Sequence, residues 1–363
     1  MKKAFFYLCM FVLPLLVTLG GLETYLRLTG WKTSVRYQMF DPVVRRAHLR
    51  NVTGEIIDPH IPPEFVNTSF RTNSFGLIDR DYSKEKPEGA YRIAFLGDSM
   101  IAGVEVAVEK HLDNLLEDFL NKRRKVEILN FGRRGIGVAE QYFIWHREVK
   151  EFKPDLLTMF IYPVNDFNDL YTFYREGFPD PLAEEIHVRF KHRLGYVRSR
   201  FQLWLETVTK WYPFIREKYV LWQQTVGTSI SLESVFAAAT HHDTLVGEHD
   251  GLWQEKYYSI MDKLVRDVRA AGVGINVVLL GYSKDYRLGN KPGNSAAFQK
   301  MIRFFAERNV PAINLADEFN ALPNPRAMFF HQDIHLNEAG HLAVAQLLLP
   351  FYENLLRSDS VGK

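Results

Sequence analysis

The chain carries a single cysteine, Cys9, in 363 residues, and it falls within an uncharged apolar run. No internal disulfide and no cluster of thiolate metal ligands is therefore open to it. Net charge is equally scarce. The balance of 45 Lys and Arg against 43 Asp and Glu leaves +2, which removes any global electrostatic reason to expect nucleic acid or a strongly acidic ligand. No nucleic-acid-binding motif appears. The glycines between Gly132 and Gly137 are not followed by the lysine of a phosphate loop, and no acid stands where a ribose would need one, so no nucleotide cofactor is expected. His241-His242-Asp243 lacks a third ligand and reads as a solvated turn, so no metal is expected either. Internal repeats and low-complexity tracts are absent. With 47% hydrophobic residues, what remains is a large globular domain.

Before that domain, Ala4 to Leu22 contains no charge and follows Lys2-Lys3, the pattern of a signal peptide or of a single transmembrane helix. At 1.5 Å per residue this run rises roughly 28 Å, enough to cross a bilayer core. Gly20-Gly21 is a poor cleavage site and the helical pattern continues through Leu22, Tyr25, Leu26 and Leu28, which favours an uncleaved anchor over residues 1–28. Lys2 and Lys3 argue for a cytoplasmic start, while Arg27, Lys32 and Arg36 blunt the asymmetry. The expectation is a single-pass protein held through residues 4–22, its catalytic domain periplasmic or otherwise extracytoplasmic.

Residues 29–88 are rich in Pro, Asn and Arg and read as an irregular stalk packed on the core. From residue 89 the pattern changes. Ile93-Ala94-Phe95-Leu96, Val126-Glu127-Ile128-Leu129 and Leu156 to Ile161 are short apolar runs separated by helix-like stretches at 111–123 and 138–151. The rhythm resumes over 254–363, with helix 254–271, strand 276–280, helix 294–308, strand 312–315 and helix 338–357. This alternation predicts a parallel sheet covered by helices on both faces, its halves at 89–170 and 254–363. Between them, residues 171–253 are aromatic and without a clear strand, and read as a helical insertion or lid.

Open parallel sheets bind ligands at the carboxyl ends of their strands. The first strand leads into Gly97-Asp98-Ser99, which places a serine hydroxyl and a free backbone amide at a helix start. After the second comes Asn130-Phe131-Gly132-Arg133-Arg134-Gly135, whose glycines allow close backbone approach. After the third comes Pro163-Val164-Asn165-Asp166, with a side-chain amide donor. Just before the last helix stand Gln332-Asp333-Ile334-His335. Nucleophilic catalysis by serine needs a base, a group that orients the base, and donors for the developing oxyanion, and all four parts are present. Each block alone has an ordinary reading as a cap or turn; their joint order is what points to catalysis.

These four blocks resemble those of the SGNH (GDSL-like) hydrolase superfamily over roughly residues 89–170 and 255–357. The resemblance implies a three-layer α/β/α flavodoxin-like fold, here with a helical insertion and an N-terminal transmembrane helix. It implies Ser99 as nucleophile, His335 as base, and an oxyanion hole from the Ser99 amide, the Gly135 amide and the Asn165 side chain. Asp333 would hold the imidazole and stabilise its protonated form. Many members place the acid three residues before the histidine, where this chain has Gln332; polysaccharide acetyltransferase relatives use the shorter spacing seen here. The apolar helix ending in Glu23-Thr24-Tyr25-Leu26-Arg27, followed by Arg71 to Leu77, is similar to a bacterial membrane-anchored subgroup, with packing beneath the sheet as the plain alternative.

The insertion carries apolar residues at spacings of three and four (Phe201, Trp204, Leu205, Val208, Trp211, Tyr212, Ile215, Tyr219), which predicts one amphipathic helix kinked at Pro213. Eight Lys or Arg against two Glu between His187 and Lys218 give this region a local charge of +6. A lid on anionic headgroups, a groove for an acidic glycan, and a core-packed helix with a basic solvated face all remain open.

The function expected is ester hydrolysis through an acyl-Ser99 intermediate. The substrate is an acylated small molecule or glycan, with an O-acetyl group on an extracytoplasmic carbohydrate in first place. The alternatives are O-acyl transfer to a polysaccharide, lipase-like action at the membrane, and a catalytically idle glycan-binding or assembly subunit.

Overall fold

The computed structural model describes residues 2–31, 36–55, 69–227, 250–281, 295–331 and 334–361. The helix α1 runs over Lys2–Leu28. Strands β1 (Gln38–Asp41) and β2 (Arg45–His48) form one antiparallel ladder, and β3 (Thr53–Glu55) and β4 (Ser69–Arg71) another. The stretch expected to be irregular thus contains two small ladders. The first is closed by Asp41, whose carboxylate accepts the amides of Val43 and Val44 and so builds the turn itself.

The core sheet comprises β5 (Tyr91–Leu96), β6 (Val126–Asn130), β7 (Leu156–Ile161), β8 (Gly274–Leu279) and β9 (Ala312–Asn314), all parallel, in the spatial order β6-β5-β7-β8-β9. Each lies within two residues of its predicted position. Every residue of β5 and β7 is buried, which is why these strands read as unbroken apolar runs. Helices α2 (Ser99–Ala102), α3 (Leu112–Leu120), α4 (Val138–Arg147), α5 (Pro163–Glu176), α6 (Phe190–Val208), α7 (Trp211–Gly227), α8 (Asp250–Ala270), α9 (Ala296–Ala306), α10 (Leu315–Asn320) and α11 (Glu338–Val361) follow in chain order. Helices α3, α10 and α11 cover one face; α4, α5, α8 and α9 cover the other. This is the three-layer α/β/α arrangement, and its strand order reverses direction at β5, between β6 and β7.

The chain divides into two compact units. One contains α1 and, from Leu194 onward, α6 and α7; the other contains the sheet, its helices and the N-terminal ladders. Within the first, Glu23 near the end of α1 accepts the amides of Lys210 (2.6 Å) and Trp211 (3.0 Å), satisfying orphan donors at the start of α7. The Trp31 and Phe214 rings meet edge to face at 5.2 Å. The single kinked helix expected around Pro213 is instead two helices broken at Thr209-Lys210. Pro213 sits in the first turn of α7, where its missing N–H has no partner to lose.

Arg71 to Leu77 forms a packed turn. Asn73 Oδ1 accepts the amides of Phe75 and Leu77, both at 2.9 Å, its Nδ2 donates to Arg80 O, and His48 Nδ1 donates to Gly76 O. Burial, reinforced by Arg133, holds the His48 imidazole neutral, its pKa down to about 3.

Candidate active site

Ser99 lies three residues beyond Leu96, the last residue of β5, at the switch point of the sheet. It opens α2 and is partly exposed, while Asp98 and Met100 on either side are buried. Asp98 Oδ1 accepts the Met100 amide at 2.9 Å and thereby fixes the turn that presents the serine. Burial pushes the Asp98 carboxyl up to about 6; the Met100 amide and the nearby His335 oppose this and the charge of Asp169 adds to it.

The loop after β6 is fastened onto α2. Asn130 Nδ2 donates to Ile101 O (2.8 Å) and to Asp113 Oδ1 (2.9 Å), and its Oδ1 accepts the Gly132 amide (2.9 Å). A Cβ at Gly132 would stand 2.6 Å from the Ala102 nitrogen, so only glycine admits this approach. Gly135 has φ +67, and its carbonyl accepts a 2.5 Å hydrogen bond from Arg45 Nη2. Arg45 also approaches Glu140 (Nε to Oε1, 2.8 Å) and Asp169 (Nη2 to Oδ1, 3.9 Å). Arg45 itself has a left-handed backbone, φ +59, at the start of β2. One side chain from the N-terminal ladder therefore reaches the loop after β6 and the helix after β7.

Asn165 occupies the first turn of α5 and donates from Nδ2 to Asp169 Oδ2 at 2.6 Å. That bond fixes which way the amide faces and uses one of its two N–H groups. Asp166 is buried, accepts from Tyr257 Oη at 3.1 Å, and is pushed well above the usual carboxylate range by burial and by Asp98 and Asp169. Glu140 accepts the Gly137 amide, and burial raises it to about 7 against the pull of Arg45. Asp98, Asp166, Asp169 and Glu140 thus form an acidic shell with Arg45 set into it.

His335 is buried on a short bridge in which Phe329 pairs with Leu336 and the Phe330 amide donates to His335 O at 3.1 Å. Its Nδ1 lies 3.8 Å from Oε1 of the buried Glu105, which Arg134 Nη1 approaches at 3.2 Å. Glu105, Arg45, Glu140 and Asp169 are site residues absent from the sequence reading, since none lies in a recognisable motif. Asp333 lies outside the described residues, as does His241-His242-Asp243. His341 is held neutral by burial and its Nδ1 accepts the Leu112 amide, which makes it part of the α3–α11 packing.

A parallel sheet covered by helices on both faces, with Ser99 at its switch point, defines the three-layer α/β/α class. The family model that matches the chain, over residues 95–343, is the GDSL-like lipase/acylhydrolase family. The chain belongs to that family and is a hydrolase acting on ester bonds. Solved structures similar to it include a lipase/acylhydrolase from Enterococcus faecalis, with 13% identity, 72% of this chain and 95% of that one covered, and TM-score 0.40. An acetylxylan esterase from Geobacillus stearothermophilus has 15% identity, 72% and 93% coverage, and TM-score 0.39. No curated protein matches the chain.

Proposed function

We propose that the protein is a membrane-anchored serine esterase that works through an acyl-Ser99 intermediate. The observation that carries this reading is the position of Ser99 at the head of α2, just beyond the carboxyl end of β5, in a chain of the GDSL-like acylhydrolase family. Ser99 Oγ attacks the ester carbonyl while His335 Nε2 takes the hydroxyl proton. The carbonyl oxygen becomes an oxyanion, received by the Ser99 and Gly135 amides and the second N–H of Asn165. Collapse breaks the bond to the alcohol, which leaves with the proton from His335. Water, deprotonated by the same imidazole, then attacks the acyl-enzyme and releases the acid and the free serine.

The imidazolium needs carboxylate support at Nδ1. Asp333 is the residue that the sequence motif implies, and Glu105, at 3.8 Å, is a second carboxylate suited to the task. Arg45 and Asp169 are positioning residues, the first holding Gly135 through its carbonyl and the second holding the Asn165 amide.

For the substrate, the reading is an O-acetyl group on an extracytoplasmic carbohydrate, supported by the Asp-x-His spacing shared with polysaccharide-modifying relatives. For location, it is a single span by α1, supported by the apolar stretch Met10–Leu28, the one helix among the described residues long and apolar enough to cross a membrane. A fluorophosphonate probe tests the nucleophile. Mass spectrometry should find the adduct on Ser99 and none on the Ser99→Ala variant; modification at another serine would overturn the reading. Rates on nitrophenyl esters of increasing chain length test the acyl group, and a maximum at long chains would sink the acetyl reading.

A further inference from the structure

The α6–α7 hairpin turns an apolar strip outward. Leu194, Val197, Phe201, Trp204 and Val208 recur along α6 at spacings of three and four, and each is between 44% and 64% exposed. At 3.6 residues per turn they fall in one strip roughly 80° wide. The residues turned inward are mixed, with Leu203 half-buried among polar groups. Ser199 is buried, Gln202 is half-buried, and Glu206 pairs with Arg216 of α7 at 3.3 Å. On α7, Ile215, Tyr219 and Trp222 continue the exposed apolar pattern at i, i+4 and i+7. A contiguous exposed strip of this size in a soluble protein marks a surface made to be covered.

The same unit indicates what covers it. Glu23, in the last turns of α1, caps the start of α7, and Arg27 Nη2 reaches Val208 O at the end of α6. The turn of the hairpin is therefore fixed to the end of the apolar span, where Tyr25 and Leu28 are themselves exposed. The charge suits a lipid surface as well. Residues 194–218 carry five Lys or Arg against two Glu, and the exposed Arg198 and Arg200 flank the strip on opposite sides. Arginine stems extending from an apolar strip toward headgroups, with Trp and Tyr at the boundary, are the composition of an interfacial helix that favours anionic lipid.

We propose that the α6–α7 hairpin lies in the interface of the membrane that α1 spans, its Leu194–Val208 strip sunk at the acyl boundary among anionic headgroups. This rests on the reading of α1 as an anchor. The full chain with Cys9→Ser is labelled with a nitroxide at one cysteine at a time, introduced as Leu16→Cys, Val197→Cys, Phe201→Cys or Thr207→Cys. Each protein is reconstituted into vesicles of phosphatidylcholine with or without phosphatidylglycerol. Relaxation by oxygen, which concentrates in lipid, is then compared with relaxation by a water-soluble nickel chelate. Labels at 16, 197 and 201 should be relaxed by oxygen and protected from nickel, with the label at 207 showing the reverse. Protection at 197 and 201 should deepen with phosphatidylglycerol. A lipid-buried label at 16 with nickel-accessible labels at 197 and 201 would overturn the hairpin proposal and leave the anchor standing. Nickel access at 16 would remove the anchor and the proposal with it. Shielding of 197 and 201 from both reagents would mean cover by protein and would overturn it, and equal protection in both vesicle types would overturn the anionic preference.

Discussion

Arg45 Nη2 donates a 2.5 Å hydrogen bond to the carbonyl of Gly135, joining residues 90 positions apart in the chain. A carbonyl held from one side fixes the plane of its peptide, and with it the course of the glycine loop proposed to supply an oxyanion donor. Arg45→Met should lower kcat for nitrophenyl acetate by about tenfold to a hundredfold with little change in KM, the range typical of lost supporting contacts. Arg45→Lys should recover part of the loss. An unchanged kcat would show that Gly135 holds its place without the guanidinium.

Glu105 faces His335 Nδ1, so its negative charge stabilises the protonated imidazole. Removing that charge in Glu105→Gln lowers the histidine pKa, and the acid limb of the kcat/KM profile should move to lower pH while the plateau falls about tenfold. Asp333→Asn, profiled alongside, shows which carboxylate dominates. No displacement of the limb in Glu105→Gln would assign the support of Nδ1 to another group.

Asn165 and Asp169 are joined at 2.6 Å. Asn165→Ala should reduce kcat by about a hundredfold or more, as expected for one lost oxyanion donor. Asp169→Asn should fall between that and wild type, because the amide remains and only its orientation is freed. Equal losses in both variants would mean that Asp169 acts on the reaction by a separate route.

The buried Glu140 titrates at about 7 against an ordinary 4.5. A carboxyl whose pKa is raised by folding contributes stability below its unfolded pKa and loses it as pH rises through the folded value. Relative to Glu140→Gln, the wild type should therefore lose thermal stability between about pH 5 and 8. Melting curves of both proteins across that window check the sign, and a difference independent of pH would contradict it.

The core sheet was legible because strands buried on both faces have no alternation to hide in, as β5 and β7 illustrate with six buried residues each. The ladder of β1 and β2 was not. Gln38-Met39-Phe40-Asp41 and Arg45-Arg46-Ala47-His48 are short and polar, and their pairing depends on an Asp41 turn that no periodicity reports. Arg45 was illegible for the same reason, since its role arises from a left-handed backbone and a contact distant in sequence. Glu105 follows Ser99 by six residues without a motif to mark it. In α6 the apolar spacing was visible while its direction was not, because a period of 3.6 shows that a helix has two faces without showing which medium each one meets.

The most direct test of the account is turnover of nitrophenyl acetate by the full chain in detergent micelles, with Ser99→Ala and His335→Ala purified in parallel and shown to melt like wild type. The account predicts steady hydrolysis by the wild type, with both variants reduced to the background rate of the ester in buffer. Wild-type turnover that survives unchanged in Ser99→Ala would contradict it.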